Sequence, residues 1–212
     1  MNVCLRLFAL PGLIALACPA VAAQTHPVPA ATAVAARPLA VGASIPAVTL
    51  ATVDGGNLSL PAAVREKPAI LIFYRGSWCP YCNRHLAALA ELEPQLLTLG
   101  YQILAISPDD ASGLRQTSEK NQLGYRLLSD RGMAASAAFG LAFRVPEATG
   151  SAYAKRGVAL APIPGGEGFW LPVPAVYIVG RDAVIRFVHT DPDYKQRLAP
   201  EALLAAAQSA VR

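Results

Sequence analysis

Charge, histidine and cysteine are all scarce in this chain, and each scarcity excludes something. Only 15% of the 212 residues are Asp, Glu, Lys or Arg, while 54% are hydrophobic. That balance suits one compact domain with a sizeable core and rules out a long disordered protein. Lys and Arg outnumber Asp and Glu by 18 to 14, but no basic run is longer than Lys155-Arg156. The charge stripe that would hold a nucleic acid is missing, and no nucleic-acid partner is expected. Of the three histidines, only His85 lies near a cysteine pair and His189 is remote, too few to complete a zinc set. No metal and no other cofactor is expected.

A membrane-spanning helix needs about 20 mostly apolar residues, and the best candidate falls short because Pro11, Gly12 and Pro19 interrupt it. That stretch reads instead as a secretory signal over residues 1–23. Arg6 supplies the positive start, Leu7 to Cys18 the short apolar region, and Val21 and Ala23 the small residues before cleavage at Gln24. A periplasmic or secreted protein follows, with no stable membrane insertion after cleavage. Residues 24–40, rich in Pro and Ala, read as a linker, leaving one domain over residues 41–212.

Cleavage would remove Cys4 and Cys18 and leave Cys79 and Cys82. A bridge between residues three apart closes too short a loop to hold a fold together, so the pair reads as reactive.

The hydrophobic pattern places the pair. Val48 to Leu50 reads as a short strand running into the turn at Asp54-Gly55-Gly56-Asn57. Ala69 to Tyr74 is a continuous apolar run, as expected of a strand buried on both faces of a largely parallel sheet. Pro80 suits the first position of a following helix, which should kink at Pro94 and end at Gly100. Tyr101 to Ile106 and Tyr125 to Leu128 read as strands, and Ser112 to Gln122 and Gly132 to Phe139 as helices. After a loop-rich insertion over Ala142 to Trp170, strands Ala175 to Val179 and Val184 to Val188 form a hairpin. A last helix starts near Pro200. The fold class is α/β: a central mixed sheet flanked by helices, with a β-α-β half followed by a β-β-α half. That is the thioredoxin-like arrangement, here with an N-terminal extension and an insertion before the C-terminal hairpin.

Trp78-Cys79-Pro80-Tyr81-Cys82 stands where the buried strand gives way to the helix. Unpaired N–H groups and the positive end of the helix dipole favour a Cys79 thiolate there. The three-residue step brings Cys82 back beside it, so one sulfur can attack and the other resolve. Cys79 is expected at the exposed helix terminus and Cys82 one turn inside. Arg75, Arg84 and His85 are candidates for lowering a cysteine pKa. Arg75 is the best placed of them, in the strand-to-helix loop, while Arg84 and His85 read as solvated helix residues. Trp78 and Tyr81 read either as partly buried aromatics or as a wall for a docking partner. Pro174 precedes the first hairpin strand.

From about Ala40 onward the chain resembles the peroxiredoxin-like group of the alkyl hydroperoxide reductase/thiol-specific antioxidant superfamily, which has the thioredoxin fold. The resemblance is carried by Phe73 to Asn83, by Ala105-Ile106-Ser107-Pro108-Asp109, by Pro172 to Val179, and by Phe187 to Tyr194. It implies a cis-proline at Pro174 facing the dithiol and an insertion covering one side of the site. Against the peroxiredoxin pattern Pro-x-x-x-Thr-x-x-Cys, Arg75 replaces the Pro, Cys79 the Thr, and Cys82 takes the peroxidatic place. Pro174 replaces the arginine that contacts peroxide. Against thioredoxins, Phe73 replaces the buried acid.

The resemblance implies a thiol-dependent antioxidant enzyme that reduces hydrogen peroxide or organic hydroperoxides and is recycled by a thioredoxin-type donor. The site residues also suit a thiol–disulfide oxidoreductase acting on protein disulfides. A non-catalytic module binding through the Trp78 surface is the third reading.

Overall fold

The structure is a computed structural model that describes residues 28–163 and 166–210. The expected signal segment, residues 1–23, lies outside the described residues.

The apolar run becomes strand β3 (Ala69–Phe73), with all five residues buried. Successive side chains of a strand point to opposite faces, and here both faces are covered. Leu71 and Phe73 join one core cluster with Leu104, Ile106, Leu128, Phe139 and Tyr177. Ile70 and Ile72 join another with Leu86, Leu89, Leu114, Leu203 and the two cysteines. β3 pairs in parallel with β4 (Gln102–Ser107), which pairs in parallel with β5 (Arg126–Ser129). On its other side β3 pairs antiparallel with β9 (Ala175–Val179), which carries β10 (Ile185–Thr190) as the hairpin partner. The hairpin of β1 (Thr49–Thr52) and β2 (Asn57–Ser59) completes a seven-stranded sheet at the β5 edge.

Helices cover this sheet. They are α1 (Leu60–Glu66), α2 (Pro80–Ala90), α3 (Glu93–Thr98), α4 (Ala111–Asn121), α5 (Ala134–Ala138) and α7 (Pro200–Ala210). The expected single kinked helix over residues 80–99 is therefore two helices. Pro94 has no N–H to continue the ladder and sits in the first turn of α3, where that donor is not needed.

Two other readings are corrected. The insertion is not a run of loops. β6 (Ala142–Val145), β7 (Ala161–Pro162) and β8 (Phe169–Pro172) form a separate three-stranded sheet, with α6 (Glu147–Ala154) between β6 and β7. The described part of the linker is not free either. Ala30 bridges Phe143, the Arg37 N–H donates to the Gly140 carbonyl, the Leu39 N–H donates to the Phe139 carbonyl, and Ala36 is buried. Backbone pairing, which needs no hydrophobic period, docks it.

Gly140 makes that docking possible. Its φ is +70°, and an added Cβ would run into the Arg37 carbonyl. Gly140→Ala should strip residues 30–39 from the domain, at a cost of about 2–3 kcal/mol. Hydrogen exchange at the Arg37 and Leu39 amides would show it, with fast exchange in the variant and protection in the parent.

Candidate dithiol active site

β3 ends beside β4 and β9, and the chain leaving it is held tightly. The Tyr74 N–H donates to the Ile106 carbonyl, and the Cys79 N–H closes a turn onto the Gly76 carbonyl. Asp109, just beyond β4, accepts from the Ser77 N–H at 2.7 Å, from Ser107 Oγ at 3.0 Å and from Ser77 Oγ at 3.2 Å. Gly76, at φ +144°, leaves room for the Trp78 indole, whose Nε1 would lie 2.5 Å from an added Cβ. Asn83 donates to the Ser77 carbonyl at 2.7 Å and accepts from Asn121 of α4 at 3.0 Å. Asp109 and Asn83 thus fix the loop that presents the dithiol.

Cys79 is the N-cap of α2, with Pro80 next, and its Sγ accepts from the Cys82 N–H at 3.3 Å. Both thiols are free. The Cys79 thiol is pulled down to about 6, first by the hydrogen bond from the Cys82 thiol, then by the Cys82 N–H and the charges of Arg75 and Arg197, against burial. The Cys82 thiol is pushed well up, first by burial and then by its bond to Cys79. The reduced pair therefore carries one negative charge, centred on Cys79, with the remaining proton on Cys82.

Cys79 is not exposed as expected. It is 0% accessible and Cys82 1%. Pro80 is exposed and Tyr81 partly so, so the helix start faces solvent while the sulfurs turn inward.

Arg75 is buried and stands at the centre of an aromatic group. Its guanidinium carbon lies 4.0 Å from the Tyr194 ring centroid and 4.9 Å from that of Trp78, and its Nη2 donates to Tyr153 Oη at 2.7 Å. Trp78 packs on Tyr153 at 4.9 Å, and Tyr81 meets Tyr194 edge-on at 5.7 Å. The cluster joins the dithiol loop to α6 of the insertion and to residues 191–199. Arg84 is exposed, as read from the sequence, and lies over Tyr81 at 5.1 Å. His85 departs from that reading. It is buried on the inner face of α2, and burial holds its imidazole down at about 4, so it is neutral near pH 7 and supplies no counter-charge.

Pro174 is buried between β8 and β9. The pairing of Phe73 with Ala175 continues to set Pro174 opposite Tyr74, at the end of β3 from which the dithiol loop departs. The implied cis bond is corrected: no cis peptide occurs among the described residues. The two-residue link from β8 to β9 runs through with a trans bond.

Arg197 was missed. It comes from residues 191–199, between β10 and α7, and its Nη2 donates to Cys82 Sγ at 3.4 Å. No spacing signals a contact 115 residues away. Tyr153 was missed for the same reason. Beside the dithiol loop a cavity of about 1200 Å³ is lined by Arg75, Ser77, Trp78, Asp109, Arg156 and Leu160 among others. Among the described residues no group of three or more His, Cys, Asp and Glu could hold a metal.

Residues 41–188 match the model of the AhpC/TSA family. Chloroplastic peroxiredoxin Q of Suaeda salsa is 34% identical over 91 residues, covering 43% of this chain and 42% of that protein. Chloroplastic peroxiredoxin Q of Triticum aestivum is 31% identical over 121 residues, covering 55% of each. The chain thus spans about half the length of these curated relatives. Reduced Prx3 from Vibrio vulnificus, solved in complex with hydrogen peroxide, superposes with a TM-score of 0.65 at 19% identity, covering 80% of this chain and 96% of that one. That likeness bears on the fold, and it matches the expected thioredoxin-like arrangement.

Proposed function

Since the chain belongs to the AhpC/TSA family, we propose that it is a thiol peroxidase that reduces hydrogen peroxide or organic hydroperoxides through Cys79 and Cys82. The observation that carries this reading is the Cys79 sulfur itself, N-cap of α2 and held near pKa 6. At neutral pH it is an anion, the nucleophilic form.

The Cys79 thiolate attacks one oxygen of the peroxide. An S–O bond forms, the O–O bond breaks, and the leaving oxygen takes a proton and departs as alcohol or water. Cys79 is then a sulfenic acid. Cys82 attacks that sulfur, an S–S bond forms, and the hydroxyl leaves as water with the Cys82 proton. A thioredoxin-type dithiol then returns two electrons. Arg75 favours the first anion and, through Trp78, Tyr153 and Tyr194, holds the insertion against the dithiol loop. Because Cys79 is buried, the reaction requires local opening. Trp78 and Tyr81 flank the pair, Pro80 starts its helix, and Pro174 closes the strand side without an amide donor.

A second reading, a thiol–disulfide oxidoreductase acting on protein disulfides, is favoured by one feature. Cys79 stands at the N-cap with its Cys-Pro-Tyr-Cys motif, where the peroxiredoxin pattern has Thr. The deciding experiment mixes reduced protein with a small excess of hydrogen peroxide and follows thiol loss. Loss of two thiols within seconds is expected. Thiols that persist for minutes with peroxide, yet exchange rapidly with an insulin-type disulfide, would favour the second reading.

On the strength of residues 1–23 we place the protein in the periplasm or outside the cell. Intact-mass analysis of exported protein should find a chain beginning at or near Gln24, and a cytosolic chain beginning at Met1 would refute this.

A further inference from the structure

We propose that Arg197 is a catalytic residue of this site, holding the negative charge on Cys82 Sγ both when that sulfur resolves the sulfenic acid and when it leaves from the disulfide. The inference rests on the redox cycle proposed above for Cys79 and Cys82, and assigns the cation that serves the second sulfur.

Arg197 is half-buried, and its Nε is buried without a hydrogen-bond partner. The two ion pairs among the described residues, Arg131 with Asp110 and Arg186 with Asp182, do not involve it. A guanidinium does not lose its proton, and a desolvated cation with no anion nearby is unfavourable. The groups around the two sulfurs show where that anion can come from. On α2, His85 is kept neutral by burial and by the Arg197 charge itself, and on β10, His189 is pushed down first by burial. Asp191 acts on His189 in the opposite direction. At the end of β3 the Tyr74 hydroxyl is pushed up by burial and stays neutral. Arg75, on the Cys79 side, has the same sign. Asp191 and Asp109 are the carboxylates of this neighbourhood. Neither forms an ion pair with Arg197 among the described residues, and the guanidinium touches Cys82.

The two arginines therefore act differently. In the resting pair Cys82 keeps its proton and donates it to the Cys79 thiolate. Once Cys79 is a sulfenic acid, that acceptor anion is gone and Cys82 must release its proton in a buried site. Burial opposes the step and the Arg197 charge favours it. In the reverse direction a donor thiolate attacks Cys79 Sγ. The S–S bond breaks, its electron pair goes to Cys82, and Arg197 holds that thiolate until the donor's second thiol supplies a proton.

Arg197→Met keeps an unbranched apolar stem and removes the charge, while Arg197→Lys keeps the charge. In Arg197→Met, disulfide closure after peroxide should slow about tenfold at pH 7, and its pH profile should move upward by about one unit. Sulfenic acid at Cys79 should accumulate and be captured by dimedone, and Arg197→Lys should recover most of the rate. A second readout needs no peroxide. With the disulfide made by diamide, its reduction by dithiothreitol should be about tenfold slower in Arg197→Met, because the leaving Cys82 thiolate loses its cation.

Unchanged closure and an unchanged rate of disulfide reduction in Arg197→Met would overturn the proposal, as would equal impairment of Arg197→Met and Arg197→Lys. If Arg197→Met fails to fold, Arg197→Gln against Arg197→Lys makes the same comparison. If the parent ignores peroxide while the rate at which dithiothreitol reduces the diamide-made disulfide still changes with the Arg197 charge, the peroxidase reading fails and the assignment of Arg197 stands.

Discussion

Cys79→Ser will abolish peroxide consumption, lowering the rate by on the order of 10⁴-fold, whereas Cys82→Ser will consume one equivalent per chain and stop. The asymmetry follows from the charge distribution. Cys79 accepts from the Cys82 N–H and the Cys82 thiol and is held near 6, while Cys82 is buried and pushed up. Removing Cys79 leaves a sulfur that is protonated at neutral pH. Removing Cys82 leaves a nucleophile without a resolving partner. Peroxide loss and dimedone labelling read both variants. If Cys79→Ser still consumed peroxide rapidly and labelled at Cys82, the peroxiredoxin alignment, which puts Cys82 in the attacking place, would identify the nucleophile correctly.

Acid will destabilise the reduced protein through His85, and His85→Leu will remove that part of the pH dependence. Burial holds the imidazole at about 4 in the folded chain against 6.5 as its ordinary value. Between those limits the unfolded chain binds a proton that the folded chain does not, so stability rises with pH across that window. The contribution is complete above about pH 6.5, is lost progressively as pH falls, and levels off below about 4. At one pKa unit per 1.36 kcal/mol, the loss from pH 7.5 to 4.5 is about 2–3 kcal/mol. Urea unfolding of parent and variant at those two pH values measures it. Equal losses in both proteins would show that His85 is not the group responsible.

The parts legible in the sequence are those set by local pattern. The run Ala69 to Phe73 has no alternation because both of its faces are buried, and Pro80 after Cys79 marks the start of a helix. Together they placed the dithiol at a strand-to-helix junction, and Arg75 in the loop between them.

The illegible parts depend on residues far apart in the chain. Tyr153 belongs to α6 of an insertion whose strands are only two to four residues long, too short to show a period. Tyr194 and Arg197 lie in a polar stretch with no pattern of its own, and meet Arg75 and Cys82 only because β9 and β10 return beside β3. The burial of Cys79 and His85 is likewise a property of what packs over α2. Residues 28–39 look like a tether because backbone pairing to Phe139, Gly140 and Ala142 leaves no trace in composition.

The central claim is that Cys79, not Cys82, is the anionic sulfur of the reduced pair. Isotope-coded alkylation of reduced protein from pH 4 to 10, with each cysteine quantified separately by peptide mass, tests it most directly. The prediction is that Cys79 is labelled first, with a half-maximal rate near pH 6, and that Cys82 stays protected until well above pH 9. A midpoint for Cys79 near 9, or Cys82 labelled ahead of it, would contradict the account.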